Sequence, residues 1–165
     1  MLVHVNQART ADRYAGAPGP GLPINRVAAP TVAVLGHPGW TAALPAHLPA
    51  GWRMRAAAGL DDIHAGDIVL LTDATEGDVA VARAALSGRT RIAALVAGDA
   101  PADAVAGVLT AGADVCVRGG QPAILAGHLV ACRRRQLAER WAGLQAAATC
   151  RSSPTALDQR TVDAE

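Results

Sequence analysis

The chain has 165 residues, a formal net charge of +1 and 51% hydrophobic residues, with no Phe and one Tyr. That length fits one domain with a sizeable core, and so even a charge balance excludes the broad basic surface of a general nucleic-acid binder. All 15 basic residues are arginine, which excludes chemistry that needs a lysine amine, the Walker A phosphate loop included.

Residues 1–30 carry the run Ala17–Pro23 (APGPGLP) and no sustained hydrophobic period, the pattern of a disordered arm. They lack the apolar stretch of a secretory signal, and no apolar run approaches the ~18 residues that span a bilayer. Cys116, Cys132 and Cys150 form no CxxC pair and no Cys/His cluster at metal spacing. An odd set of thiols without a leader fits a reducing, cytoplasmic setting. The folded body is expected over 31–149, with a flexible polar tail over 150–165. Its core must come from Ala, Val, Leu and Ile, together with the three tryptophans.

Within that body, Thr31–Leu35 is a short apolar run stopped by Gly36, a buried-strand pattern. Trp40–Leu48 reads as a weak helix interrupted by Pro45, and Trp52–Ala57 as a poor second strand. Asp67–Leu71 (DIVLL) is a strong buried strand. Thr75 can cap a helix over Glu76–Leu86, stopped at Ser87-Gly88. Ile92–Val96 is the next strand. A helix begins near Pro101, with Asp99 as its expected cap, and ends at Gly112. Asp114–Val117 is the last strand, and a helix from Gln121 or Pro122 runs toward Thr149. Five βα units with near-continuous apolar strands predict a parallel sheet covered on both faces. The flavodoxin-like order 2-1-3-4-5 follows, with functional groups at the carboxyl ends of the strands.

At that edge stand Gly36-His37-Pro38-Gly39, then Thr72-Asp73, then Val96-Ala97-Gly98-Asp99, then Arg118-Gly119-Gly120. His37 can also simply close the turn before Pro38, and Asp73 can serve as an N-terminal helix acid. Asp61-Asp62-Ile63-His64 lacks partner ligands at metal spacing. Arg133–Arg135 reads as a solvated helix face, and Cys116 as a small core residue.

Gly112-Ala113-Asp114 before an apolar strand, a Pro122 helix ending in arginines, and the DIVLL strand before an aspartate give the chain a resemblance to response-regulator receivers (the CheY-like superfamily) across about 31–135. The resemblance implies a phospho-acceptor after the third strand, an acidic pair after the first that holds Mg²⁺, a Ser/Thr after the fourth and a lysine–proline pair after the fifth. Here the corresponding positions are Thr72 (with Asp73 one residue late), Gly36 and His37, Val96 or Ala97, and Gly119-Gly120 beside Arg118. A one-residue slip turns a side chain to the other face, so Asp73 can reach the site only through a local bulge. With so few carboxylates neither Mg²⁺ nor any other cofactor or metal is expected, and Arg118 does not copy a lysine point charge. The resemblance therefore implies a degenerate receiver.

Val130, Leu137, Trp141, Leu144 and Ala148 are spaced seven, four, three and four apart, an apolar stripe on the last helix. Trp141 and Leu144 are expected to extend past a compact domain as a partner or dimer surface. No familiar winged-helix output domain is expected after the last helix. The expected function is that of a stand-alone pseudo-receiver acting by protein contact or self-association, without catalysis, membrane binding or nucleic-acid binding. One alternative is a phosphorylatable receiver with Asp73 as acceptor. Another is a ligand sensor or small enzyme using His37, Asp73, Asp99 and Arg118.

Overall fold

A computed structural model describes residues 29–119 and 121–151. The expected disordered arm and tail fall almost wholly outside them, as does Gly120. Five parallel strands, β1 (Thr31–Leu35), β2 (Arg53–Ala56), β3 (Ile68–Thr72), β4 (Arg91–Val96) and β5 (Val115–Arg118), form one sheet in the order β2-β1-β3-β4-β5. Three α-helices accompany it: α1 (Glu76–Ala85), α2 (Ala102–Thr110) and α3 (Pro122–Arg151). The expected fold class is the observed one.

Strand alternation divides the core in two. Val32, Val34, Ile68, Leu70, Leu95, Val115 and Val117 face α3, where Leu125, Leu129 and Cys132 meet them. Val69, Leu71, Ile92, Ala94 and Val96 face α1 and α2 through Val79, Ala82 and Val108. All five residues of β3 are buried, which is why its sequence is apolar from Ile68 to Leu71. The tryptophans depart from expectation. Trp52 only packs against the core's margin, while Trp40 and Trp141 are exposed.

Five βα units are not what forms. The segment read as a weak helix over Trp40–Leu48 is instead two 3-10 turns, Pro38–Thr41 and Leu44–His47. Pro38 and Pro45 have no N–H to donate, so each starts a turn and neither continues one. Leu44, 1% exposed, still packs into the α3-side core. The crossover from β2 to β3 contains only the 3-10 turn Leu60–Asp62. Asp99 does not cap α2 either: Pro101 is the N-cap and no side chain bonds the helix start.

Thr75 caps α1 as expected, and Asp78 completes a capping box. The Thr75 hydroxyl and N–H both donate to Asp78 Oδ2, at 2.7 and 3.0 Å. These bonds, the hydroxyl first, hold the Asp78 carboxyl below its ordinary 3.8. Because the folded value is the lower one, this stabilisation is present above the unfolded pKa and is lost as pH falls through the lowered value. Thr75→Ala is expected to cost about 1 kcal/mol at neutral pH. In thermal unfolding its deficit against wild type should narrow in acid.

α3 runs back against the strand direction. Arg133 Nη1 donates to Gly66 O and Gln136 Nε2 to Asp67 O, both just ahead of β3. At 30 residues it is about 45 Å long, against about 13–20 Å for strands of four to six residues. Every residue from Ala138 to Thr149 is exposed. The side chains buried against the sheet are Leu125, Ala126, Leu129 and Cys132. The apolar stripe lies roughly 100° around the helix from them, at 100° per residue. Val130 and Leu137 are half-buried on its flank, and Trp141 (65% exposed) and Leu144 (55%) stand clear of the domain.

Candidate functional site at the carboxyl edge

The edge is assembled by turns that require glycine. β1 ends at Leu35, and Gly36 follows at φ +102°, where a Cβ would lie 2.5 Å from Thr72 Oγ1 and 2.8 Å from Thr72 O. Thr72, at the end of β3, is buried, and its hydroxyl donates to Leu35 O at 3.2 Å. The acceptor position implied by the resemblance is thus held by a hydroxyl tied to the neighbouring strand. Asp73 turns outward through a left-handed backbone (φ +54°), the sole non-glycine at positive φ among the described residues. The carboxylate is exposed and has no hydrogen-bond or ion-pair partner among the described residues. Ala74 N then rejoins the sheet at Leu95 O, 3.1 Å away.

Val96, where the resemblance implies a hydroxyl, is 3% exposed within the core against α2. Arg118, the last residue of β5, is exposed. Gly119 (φ +63°) donates its N–H to Val96 O at 3.0 Å, and a Cβ there would lie 3.2 Å from Gly98 Cα. The loops after β4 and β5 therefore meet backbone to backbone. His37 closes the turn before Pro38: its Nδ1 accepts the Gly39 N–H at 3.1 Å.

The structure brings Gly36 to Thr72 and Val96 to Gly119. No hydrogen bond or ion pair links any two of His37, Asp73, Asp99 and Arg118 among the described residues. Nor does any of the four line the cleft of about 480 Å³ at this edge. Leu35, Leu60, Leu71, Ala74 and Val81 give it apolar walls, and it opens where the β2–β3 crossover has a single turn and no α-helix. Its rim groups Thr75 and Asp78 are engaged with each other. Among the described residues no group of three or more His, Cys, Asp or Glu can hold a metal ion, and no helix is long and apolar enough to cross a membrane. Burial raises the pKa of the Cys116 and Cys132 thiols, which holds both in the less reactive protonated form.

The polar network of the molecule lies at the opposite, amino edge, and sequence reading missed it. Asp114 accepts from Arg83 Nη2 (2.9 Å), Arg91 Nη1 (2.5 Å) and Ile92 N (2.9 Å). Arg91 also pairs with Glu139 of α3. Arg83 reaches past Gly112 (φ +112°) to donate to its carbonyl. The Gly-Ala-Asp turn is therefore a clamp on α1 and β4. A second clamp joins Arg55 to Asp67 at 2.6 Å, with His64 Nδ1 accepting from Arg55 at 2.8 Å. Asp62 Oδ2 accepts the Ala58 N–H, so the Asp-Asp-Ile-His run builds a loop. The available signal was a set of acids placed one residue ahead of a strand.

No family model matches this chain, no curated protein matches it, and no solved structure matches it.

Proposed function

We propose that the chain is a receiver-like regulatory protein of the cytoplasm that works by gripping a protein through α3, with neither catalytic turnover nor conventional aspartyl phosphorylation. The observation that carries the reading is the far half of α3, which holds Trp141 and Leu144 in solvent beyond the sheet. Large side chains cost free energy there unless a partner covers them. The carboxyl edge supports the negative half. A phosphoryl group needs a carboxylate nucleophile beside a cation site, and here Thr72 is buried and bonded to Leu35 O.

A second reading rests on Asp73, whose left-handed turn sets its carboxylate in the open. Intact mass after incubation with acetyl phosphate and Mg²⁺, run beside Asp73→Asn, separates the two. The expected result is no adduct on either protein. A phosphate on wild type that Asp73→Asn removes would replace the leading reading with a phosphorylatable switch.

A further inference from the structure

We infer that a cleft at the amino edge, beside the root of α3, binds a small phosphorylated polyol. Its volume is about 500 Å³, within the range of small-ligand sites. Three segments wall it: the loop ahead of β3 at Ala65-Gly66, the α1–β4 turn with Ser87, Arg89 and Thr90, and α3 with Gln136, Glu139 and Arg140. It shares no residue with the cleft at the carboxyl edge, and it does not depend on what Trp141 and Leu144 meet.

Charge selects the ligand's head. Glu139, the carboxylate of the walls, is already paired with Arg91. Behind the walls, Arg83 donates to Thr90 O at 2.9 Å and Arg133 to Gly66 O at 3.2 Å. Asp114 answers Arg83 and Arg91 together, and Asp67 is taken by Arg55. Arg89 and Arg140 are thus left without an acid among the described residues, and both line the cleft. The Nε groups of Arg91 and Arg133, buried beside the same walls, lack an acceptor as well, so donors are in excess here just as cations are. A phosphate monoester carries about two negative charges at neutral pH, one for each unmatched arginine. Its oxygens also fit the guanidinium fork.

The remaining walls select the body. A phosphate group alone fills only a small part of about 500 Å³. The Ser87 and Thr90 hydroxyls lie 3.1 Å apart, so one hydrogen is spent between them and the other is left to donate. Gln136 Nε2 gives one N–H to Asp67 O and keeps its second, while Glu139 offers acceptor oxygens. No aromatic side chain among the described residues lines the cleft for a base to stack on. Walls of hydroxyl, amide and carboxylate suit the hydroxyl groups of a polyol or sugar better than a nucleobase or an acyl chain.

The test is an amide NMR titration of the full chain with inorganic phosphate, glycerol 3-phosphate, glucose 6-phosphate and AMP, at ionic strength held constant with chloride. The two polyol phosphates are expected to give saturable shifts confined to the loop ahead of β3, the α1–β4 turn and the root of α3, at concentrations up to about 10 mM. Inorganic phosphate should move the same amides more weakly, and AMP should not surpass the polyol phosphates. Arg89→Gln and Arg140→Gln should each weaken binding at least about fivefold. Both side chains are exposed, so the fold should persist. Arg134→Gln removes the same charge from α3 outside the cleft and should change binding little, while Glu139→Gln should tighten it. Absence of confined shifts with every phosphate, or equal losses from Arg134→Gln and the two cleft arginines, would overturn the site. Inorganic phosphate binding as tightly as its esters, or AMP binding most tightly, would overturn the assignment of a polyol.

Discussion

Asp114→Asn is expected to destabilise the protein by about 3 kcal/mol, read as a fall in denaturation midpoint with an unchanged slope. The carboxylate is 12% exposed and takes both guanidinium groups of Arg83 and Arg91. Asparagine has nearly the same shape, but it removes the charge and turns an N–H₂ toward one of the two cations. The loss falls on groups already out of water: the Arg91 side chain is 14% exposed. Burial pulls the Arg91 pKa down, and the hydrogen bond and charge of Asp114, with help from Glu139, more than restore it. Once Asp114 is gone, only Glu139 remains to Arg91, and that carboxylate is 53% exposed. Glu139→Gln should therefore cost under about 1 kcal/mol, as exposed pairs do. Similar losses from the two substitutions would show that the amino-edge clamp is a surface feature and does not organise the core.

Gly36→Ala is the second large effect, expected at about 2–4 kcal/mol. Two costs combine. A φ of +102° is a conformation that L side chains rarely adopt, and the new methyl would sit 2.5 Å from Thr72 Oγ1 and 2.8 Å from Thr72 O. The hydroxyl can rotate away, but the carbonyl cannot move without shifting the end of β3. Gly51→Ala supplies the control: φ is +86° there and nothing lies within 4 Å. It should show the backbone cost alone, about 1 kcal/mol. Thermal unfolding of both variants separates strain from overlap. Equal losses would mean that β1 and β3 are not pressed together where Thr72 reaches Leu35.

The strands were legible because a parallel sheet buries both faces and so writes itself as unbroken apolar runs. Thr31–Leu35 has the bounds expected of it, and β3, β4 and β5 are displaced by one residue at most. Thr75 was legible as a cap because its partner lies three residues away. Long-range pairing was not legible. Arg91 meets Asp114 and Glu139 across 23 and 48 residues, and nothing local joins them. The first crossover was misread because Ala and Leu around Pro45 suggest a helix, while the proline decides the backbone. The stripe on α3 is a periodicity of the sequence, but its direction depends on which neighbouring stripe the sheet claims. The sheet claims Leu125, Leu129 and Cys132. At the carboxyl edge the residue types were legible, and what they do was not: the tie from Thr72 to Leu35 O and the outward turn of Asp73 depend on a backbone that only the assembled sheet defines.

The clamps at one edge and the glycine turns at the other make the molecule mechanically lopsided. Arg55, Arg83 and Arg91 rivet β2, α1 and β4 to the loops beneath them, and Arg133 and Gln136 tie the root of the projecting helix to the backbone just ahead of β3. The opposite rim is held by Thr72 Oγ1 to Leu35 O, Ala74 N to Leu95 O and Gly119 N to Val96 O, beside the positive-φ turns at Gly36, Asp73 and Gly119. Breathing motions are therefore expected to concentrate at the glycine rim, read as faster amide hydrogen exchange there than at the clamped edge. Between the two lies the length of the strands, about 15 Å of close-packed sheet. The fold behaves as a handle fixed to a rigid plate, with its soft border on the far side.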